Sequence, residues 1–182
     1  MDEKGAEPGY RHRLPIIAAG FMVVLFLLAY GLINQAPLEG RPAPDLELLG
    51  YGGEGLVLRA LRGQPVVLNF WASWCDPCRQ EAPALAQVHR EYEPKGVAFI
   101  GINVKDLDQN ARAFLNRYGI SYPNGPDPYG RISRAYRVTA FPETFVIAPD
   151  GTVRKRFIGV VTEEQLKGIL DELLREMPTS TS

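Results

Sequence analysis

The sequence contains two cysteines, and they lie within one short segment, WASWCDPC at 71–78. Cys75 and Cys78 are separated by two residues, a spacing at which a dithiol can close a disulfide and reopen by thiol-disulfide exchange. A strand-like run precedes the pair and a helix-like run begins with it. We therefore expect Cys75 at a helix N-terminus, where unpaired N–H groups and the helix dipole stabilise a thiolate. The arrangement predicts Cys75 as the nucleophile and Cys78 as the thiol that resolves a mixed disulfide.

Other uses of the cysteine pair stay open. An inert local disulfide would close so small a loop that it would remove little entropy from the unfolded chain. Two soft thiolates could hold Cu(I) in a metallochaperone module, although Met1, Met22 and Met177 are remote in sequence. A peroxide-reducing enzyme would require fast consumption of peroxide by Cys75. The two histidines lie far from the cysteines, so we expect no zinc site and no cofactor.

Acidic residues near the motif bear on the direction of the reaction. Glu81 follows Cys78 by three residues, which places both side chains on one face of a helix, and Asp76 lies between the cysteines. A carboxylate beside a thiol disfavours the thiolate, whereas a strong oxidant stabilises its reduced form by lowering its thiol pKa. We expect a reduction potential nearer to about −270 mV than to about −120 mV. Glu81 could also relay a proton to Cys78.

Strands and helices alternate around the motif. The runs at 66–71 and 97–104 are β-branched and aromatic without helical periodicity, which is typical of strands covered on both faces. Helical spacing from 75 to 92 separates them, so we expect a right-handed crossover between parallel strands. A further helix should follow Asp106, with Gln109 at the position of a capping-box residue.

The C-terminal part of the chain predicts a hairpin and a final helix. The turn signature Pro-Asp-Gly at 149–151 lies between the predicted strands 143–148 and 152–157, so these two strands should be antiparallel. Thr162 and Gln165 should cap a helix with a continuous apolar stripe, which Pro178 ends. We expect the stripe to pack on the sheet.

Composition excludes several function classes. The chain has 182 residues with 20 Lys plus Arg, 21 Asp plus Glu, a net charge of −1 and 46% apolar residues. That is one ordinary globular domain at most. A balance so close to neutral gives little electrostatic reason to expect a nucleic-acid partner. Two cysteines form at most one disulfide, so the chain is not a disulfide-rich domain. Its stability must come from a packed core.

The N-terminal region predicts a membrane anchor. Residues 14–33 contain no charge and would extend about 30 Å as a helix, the thickness of a bilayer's hydrocarbon core. Because Arg11 and Arg13 flank its start, we expect residues 1–13 in the cytoplasm and the large domain outside the cell membrane. A signal peptide cleaved near 29–31 is the alternative. Residues 34–44 read as a tether, 45–178 as the domain and 179–182 as a frayed tail.

Three stretches of the sequence resemble a known group of proteins. They are VVLNFWASWCDPCRQEAP at 66–83, INVKDLDQNARAFLNRYG at 102–119 and FPETFVIAPDG at 141–151. They resemble the membrane-anchored thioredoxin-like thiol-disulfide oxidoreductases of the DsbE/CcmG, ResA and TlpA type, the cytochrome c maturation branch. The likeness covers roughly 42–177. It implies an α/β thioredoxin fold, in which helices flank a central mixed β-sheet and the segment 106–124 is an inserted element.

The resemblance also assigns residues to a substrate site. It implies that Pro142 follows a cis peptide bond, faces the two cysteines and presents backbone groups to an extended substrate. Phe141 and Glu143 flank this proline, and we expect both to contact substrate, together with Trp74 and Asp76. Glu81 matches an acidic active-site residue of the ResA branch. Asn69 departs from thioredoxins, which carry a buried aspartate there, so proton handling must fall to another group or to water.

The function that the resemblance implies is reduction of protein disulfides outside the cytoplasm. The electrons would come from a CcdA- or DsbD-type membrane carrier. The acceptor would be the haem-attachment cysteines of apocytochrome c, or a maturation partner that holds them. A general thiol reductase with several clients is the near alternative.

Overall fold

The structure is a computed structural model that describes residues 19–28 and 37–177. Residues 19–28 form a helix, α1, whose apolar side chains are exposed. Across the two described ranges, no helix is long and apolar enough to cross a membrane. The predicted span 14–33 continues past the described residues at both ends. The predicted cytoplasmic segment 1–13 and the tail 179–182 also lie outside them.

The second unit of the chain, 38–182, carries the remaining described elements. Two short strands come first, and the rest alternates strands with helices, as expected. In chain order the elements are β1 (Glu47–Leu49), β2 (Gly55–Val57), β3 (Val66–Trp71), α2 (Asp76–Tyr92), β4 (Ala98–Val104), α3 (Asp108–Tyr118), β5 (Asn124–Asp127), α4 (Arg131–Ala135), β6 (Glu143–Ile147), β7 (Val153–Ile158) and α5 (Glu163–Glu176).

A five-stranded mixed sheet in the order β5-β4-β3-β6-β7 forms the centre of the fold. β3 is parallel to β4, with Asn69 opposite Gly101, and antiparallel to β6, with Asn69 opposite Thr144. β6 and β7 are antiparallel, and β1 and β2 form a separate antiparallel pair. The predicted parallel crossover and C-terminal hairpin are therefore confirmed.

The core lies on both faces of β3, every residue of which is buried. Leu68 and Phe70 pack into one apolar cluster with Tyr136 and Phe145, while Val67 packs on the other face with the helices α2 and α5. Burial of each large apolar side chain contributes about 1.5–3 kcal/mol. A strand held in this way gives the loop at its carboxyl end a rigid base, and the cysteine motif occupies that loop.

The two helix caps expected from the sequence have different outcomes. At α5 both capping-box hydrogen bonds are present, because the Thr162 side chain accepts from Gln165 N and the Gln165 side chain accepts from Thr162 N. The box expected at Asp106 is wrong, since α3 begins after Leu107 and no side chain caps it. The Asp106 carboxylate is directed toward the loop that precedes the cysteines instead.

Candidate active site

The cysteine pair lies where β3 ends and α2 begins. Cys75 is the N-cap residue of α2, as expected, and the two sulfurs are joined in a disulfide of 2.09 Å. The Cys75 sulfur accepts a hydrogen bond of 3.1 Å from Cys78 N–H, one of the unpaired donors of the first helical turn. The same donor is in place to stabilise a thiolate at Cys75 after reduction.

Two side chains fix the loop before Cys75. The Asp106 carboxylate accepts hydrogen bonds from Ser73 N at 2.6 Å and from Ser73 Oγ at 2.9 Å. The Arg79 guanidinium donates to the Ser73 carbonyl oxygen through Nε at 3.1 Å and Nη2 at 2.8 Å. Burial alone would raise the pKa of Asp106, but hydrogen bonds from Asn103, Ser73 and Leu107 together lower it. Asp106 therefore stays anionic and holds the loop.

Glu81 lies on α2 three residues after Cys78, so the two side chains share one face of the helix. The Glu81 side chain is 1% exposed. One carboxyl oxygen accepts from Asn69 Nδ2 at 2.8 Å, and the other accepts from Val161 N–H at 2.7 Å. Burial raises the pKa of Glu81 to about 7, even though both hydrogen bonds act to lower it. A carboxyl with that pKa can accept and return a proton near neutral pH.

Asn69 explains how this site handles protons without a buried aspartate on β3. Its amide nitrogen donates to Glu81 and also to Thr144 Oγ1 at 3.0 Å, and all three side chains are buried. The titratable carboxyl is thus supplied by the helix, and the strand supplies a neutral donor that orients it.

The cis-proline expected from the resemblance is confirmed, since the Phe141–Pro142 peptide bond is cis. The Pro142 carbonyl accepts a hydrogen bond of 2.9 Å from Gly159 N–H. Phe141 belongs both to the apolar cluster that contains the cysteines and to the ring pair that it makes with Trp74, at 5.7 Å between centroids. Trp74 is 55% exposed, and its indole N–H donates to the Lys105 carbonyl at 3.3 Å. An exposed aromatic surface thus borders the sulfurs.

The two other acids expected at the substrate site lie in different environments. Asp76 is exposed and pairs with Arg79 at 2.7 Å. Glu143 is fully buried, so the expectation that its side chain contacts substrate is not supported by its position. Its carboxylate accepts from Thr139 N, Thr139 Oγ1 and Ala140 N and pairs with Arg156 at 2.7 Å. Glu143 holds the loop before Pro142.

Sequence reasoning missed Arg79 and Asp106 as supports of the cysteine loop. A signal for Asp106 was present, because it follows β4 and the carboxyl ends of neighbouring parallel strands meet at one edge of the sheet. Among the described residues no group of three or more His, Cys, Asp or Glu side chains could hold a metal ion. His89 lies against the rings of Phe99 and Tyr122 as a packing residue.

Comparisons with known proteins agree with this geometry. The AhpC/TSA family matches residues 40–156. The thiol-disulfide oxidoreductase ResA of Bacillus thuringiensis is 35% identical over 164 residues, covering 84% of this chain and 95% of that protein. ResA of Bacillus subtilis is 32% identical over 162 residues, covering 86% and 90%.

Solved structures show the same likeness. A thiol:disulfide interchange protein DsbE from Chlorobium tepidum has a TM-score of 0.71 and 31% identity, covering 76% of this chain and 99% of that one. A secreted Mycobacterium tuberculosis disulfide oxidoreductase, homologous to DsbE of E. coli, has a TM-score of 0.65 and 27% identity, covering 70% and 96%. With the Cys75–Cys78 disulfide at the start of α2, the chain belongs to the AhpC/TSA family as a thioredoxin-fold thiol-disulfide oxidoreductase of the ResA/DsbE type.

Proposed function

We propose that the chain is a membrane-tethered reductase of protein disulfides that works outside the cytoplasm. The observation that carries the direction of the reaction is the buried Glu81 carboxyl, one helical turn beyond Cys78, with its pKa raised to about 7. When ionised, this group repels a thiolate at the neighbouring sulfurs. The reduced form then gains little from thiolate stabilisation, which lowers the reduction potential and makes the dithiol a better electron donor.

The residues around the disulfide support a two-step exchange. The Cys75 thiolate attacks one sulfur of a client disulfide; a mixed disulfide forms, and the other client sulfur leaves as a thiolate that takes a proton from water. The Cys78 thiol then gives its proton to the Glu81 carboxylate and attacks the Cys75 sulfur. The Cys75–Cys78 disulfide re-forms, and the second client sulfur leaves as a thiolate that is protonated in turn.

The oxidised chain must then be reduced by two electrons from another dithiol. Outside the cytoplasm these electrons have to cross the membrane, so we propose a CcdA- or DsbD-type carrier as donor. The uncharged run 14–33, with Arg11 and Arg13 before it, supports a retained anchor and an exported domain. The resemblance supports apocytochrome c, or a maturation partner that holds its cysteines, as the client.

Trapping of mixed disulfides tests this proposal. In native membranes the Cys78→Ser variant should accumulate adducts at Cys75, because the resolving thiol is absent. Identification of the adducts by mass spectrometry should give apocytochrome c or its maturation partner. The Cys75→Ser variant is the matched control and should trap nothing.

The same experiment separates the alternatives. Many unrelated adducts would indicate a general reductase with several clients. Tight binding of one Cu(I) by the reduced wild-type chain, together with no adduct from the Cys78→Ser variant, would contradict the reductase function and indicate a metallochaperone module.

A further inference from the structure

A cavity of about 390 Å³ opens beside the cysteine loop, between the start of α2 and the helix α3. We name it the α2–α3 pocket. Trp74, one of the residues expected to contact substrate, lines it, whereas Phe141 and Pro142 do not, so the pocket extends the expected substrate surface on the far side of Trp74 from the proline. Its lining includes Ser73 and Trp74, the two residues that directly precede Cys75.

The pocket carries positive charge. Arg79 and Arg117 line it, and no carboxylate does. Arg79 is held by its bonds to the Ser73 carbonyl and shares its charge with Asp76, which pairs with it at 2.7 Å. The exposed Arg117 guanidinium lies 5.7 Å from the Tyr118 ring, and within residues 19–28 and 37–177 no carboxylate pairs with it. A cation in this position is available to an anionic ligand.

The floor of the pocket is aromatic. Phe114 stacks on Trp71 with 4.4 Å between ring centroids, and Tyr118 lies 4.7 Å from Phe114. Ala113 also lines the pocket, and its methyl group leaves the floor open. An apolar floor lowers the local dielectric, so an ion pair at its rim is stronger than one in open water.

We propose that the α2–α3 pocket is a client subsite that takes an acidic side chain next to the client's reactive cysteine. Consecutive Cα atoms are about 3.8 Å apart, so the wall formed by Ser73 and Trp74 begins within roughly 8 Å of the Cys75 backbone. An extended client advances about 3.3 Å per residue, which places the acidic residue about one to three positions from its cysteine. The inference rests on the proposed function, since it requires that Cys75 reacts with polypeptides.

Exchange kinetics with matched peptides test this subsite. The probes are short peptides with one cysteine, activated as its 2-thiopyridyl disulfide and flanked on both sides by Glu, Gln or Lys. Attack by the Cys75 thiolate forms the peptide mixed disulfide and releases thiopyridone, whose absorbance reports the rate. With the reduced full-length chain, we expect the Glu peptide to react about threefold to tenfold faster than the Lys peptide. The preference should shrink as salt is added.

Three variants place the effect in the pocket. Arg117→Glu should abolish or reverse the preference, while Arg90→Glu, an equal charge change on an exposed part of α2 outside the pocket, should keep it. Ala113→Phe should remove the preference without any change of charge, because the ring fills the space above the floor. The Arg90→Glu variant should also react with the Gln peptide at nearly the wild-type rate.

The outcomes are distinct. Equal rates for the Glu, Gln and Lys peptides would overturn the subsite and leave the proposed function standing. A preference that Arg90→Glu removes as fully as Arg117→Glu would also overturn it, since general charge would then be the cause. A reduced chain that reacts with none of the peptides would overturn both the proposed function and the subsite.

Discussion

On folding, the Glu81 carboxyl loses its contact with water and gains two hydrogen bonds, one from Asn69 and one from the Val161 N–H. The balance between these two effects determines its pKa. Two neutral donors compensate only part of the desolvation of a carboxylate, so the protonated form gains. The result is a group that is about half ionised near neutral pH. The same burial that makes Glu81 a useful proton acceptor also makes its ionisation costly for the fold.

The stability of the oxidised chain should therefore depend on pH through Glu81. Its pKa rises from 4.5 to about 7 on folding, so between these values the folded chain binds a proton that the unfolded chain has released. The stability linked to this proton is fully present below about pH 4.5 and is lost as pH rises through about 7. A shift of this size corresponds to about 3 kcal/mol.

Urea unfolding of Glu81→Gln and the wild type at about pH 5 and about pH 8 measures this contribution. The free energy of unfolding of the wild type, relative to that of the variant, should fall by about 3 kcal/mol between the two conditions. Asp76→Asn, on the exposed side of the same helix, should keep the wild-type profile. If the free energies of unfolding of Glu81→Gln and the wild type differ by the same amount at both pH values, the pKa of the Glu81 carboxyl does not change on folding, which would contradict this prediction.

The helix face of Glu81 could be predicted from the sequence, but the burial of Glu143 could not, for a physical reason. Spacing along a helix defines the face on which a side chain lies. The spacing of three residues between Cys78 and Glu81 was therefore enough to predict that both lie on one face of α2. Adjacency to Pro142 did not show on which side of the sheet Glu143 would lie, because successive residues of a strand alternate. The bond from Asn69 to Glu81 depends on how α2 packs on β3, which no local pattern contains.

Among the elements, the pair β6 and β7 positions the proline loop. Glu143 begins β6, and its carboxylate joins Arg156 on β7 to the backbone of Thr139 and Ala140. Arg156 also donates to the Arg137 carbonyl at 2.9 Å. The segment before Pro142 is therefore fixed to the sheet by the largely buried ion pair of Glu143 and Arg156. Removal of either side chain would leave the other charge buried without its partner.

Removal of Glu143 should destabilise this part of the fold. Glu143→Ala leaves the Arg156 guanidinium, which is only 16% exposed, without its carboxylate, so the free energy of unfolding should fall by about 3–5 kcal/mol. The double variant Glu143→Ala, Arg156→Ala should lose less than the sum of the single variants, since no unpaired charge remains. Additive losses in urea unfolding would mean that the pair does not couple the loop to β7.

At the scale of the whole molecule, the catalytic unit and the N-terminal segment raise separate questions. Periodicity and turn residues predicted β3, α2, β4, α3, β6, β7 and α5 but not β1, β2, β5 or α4, and the sheet order β5-β4-β3-β6-β7 agrees with the fold that the resemblance implies. Asp106 was missed as a support of the cysteine loop because it lies 33 residues from Ser73 in sequence. The membrane anchor stays a prediction from the composition of 14–33.

Thiol labelling in cells tests the predicted orientation. After mild reduction of intact spheroplasts, a membrane-impermeant maleimide should label the cysteine pair of the full chain, because the domain is expected outside the cell membrane. The chain should also remain in the membrane fraction after carbonate washing if the segment is retained. Arg11→Glu with Arg13→Glu removes the charge bias and should lower the labelled fraction. Labelling that requires permeabilised cells would contradict the orientation.

The reduction potential of the Cys75–Cys78 couple, measured at pH 7 against defined dithiol buffers, tests the central claim most directly. We predict a value near about −270 mV, and a less negative value for Glu81→Gln, because the variant no longer disfavours the thiolate. A wild-type potential near about −120 mV would contradict the account, since such a protein would oxidise its clients.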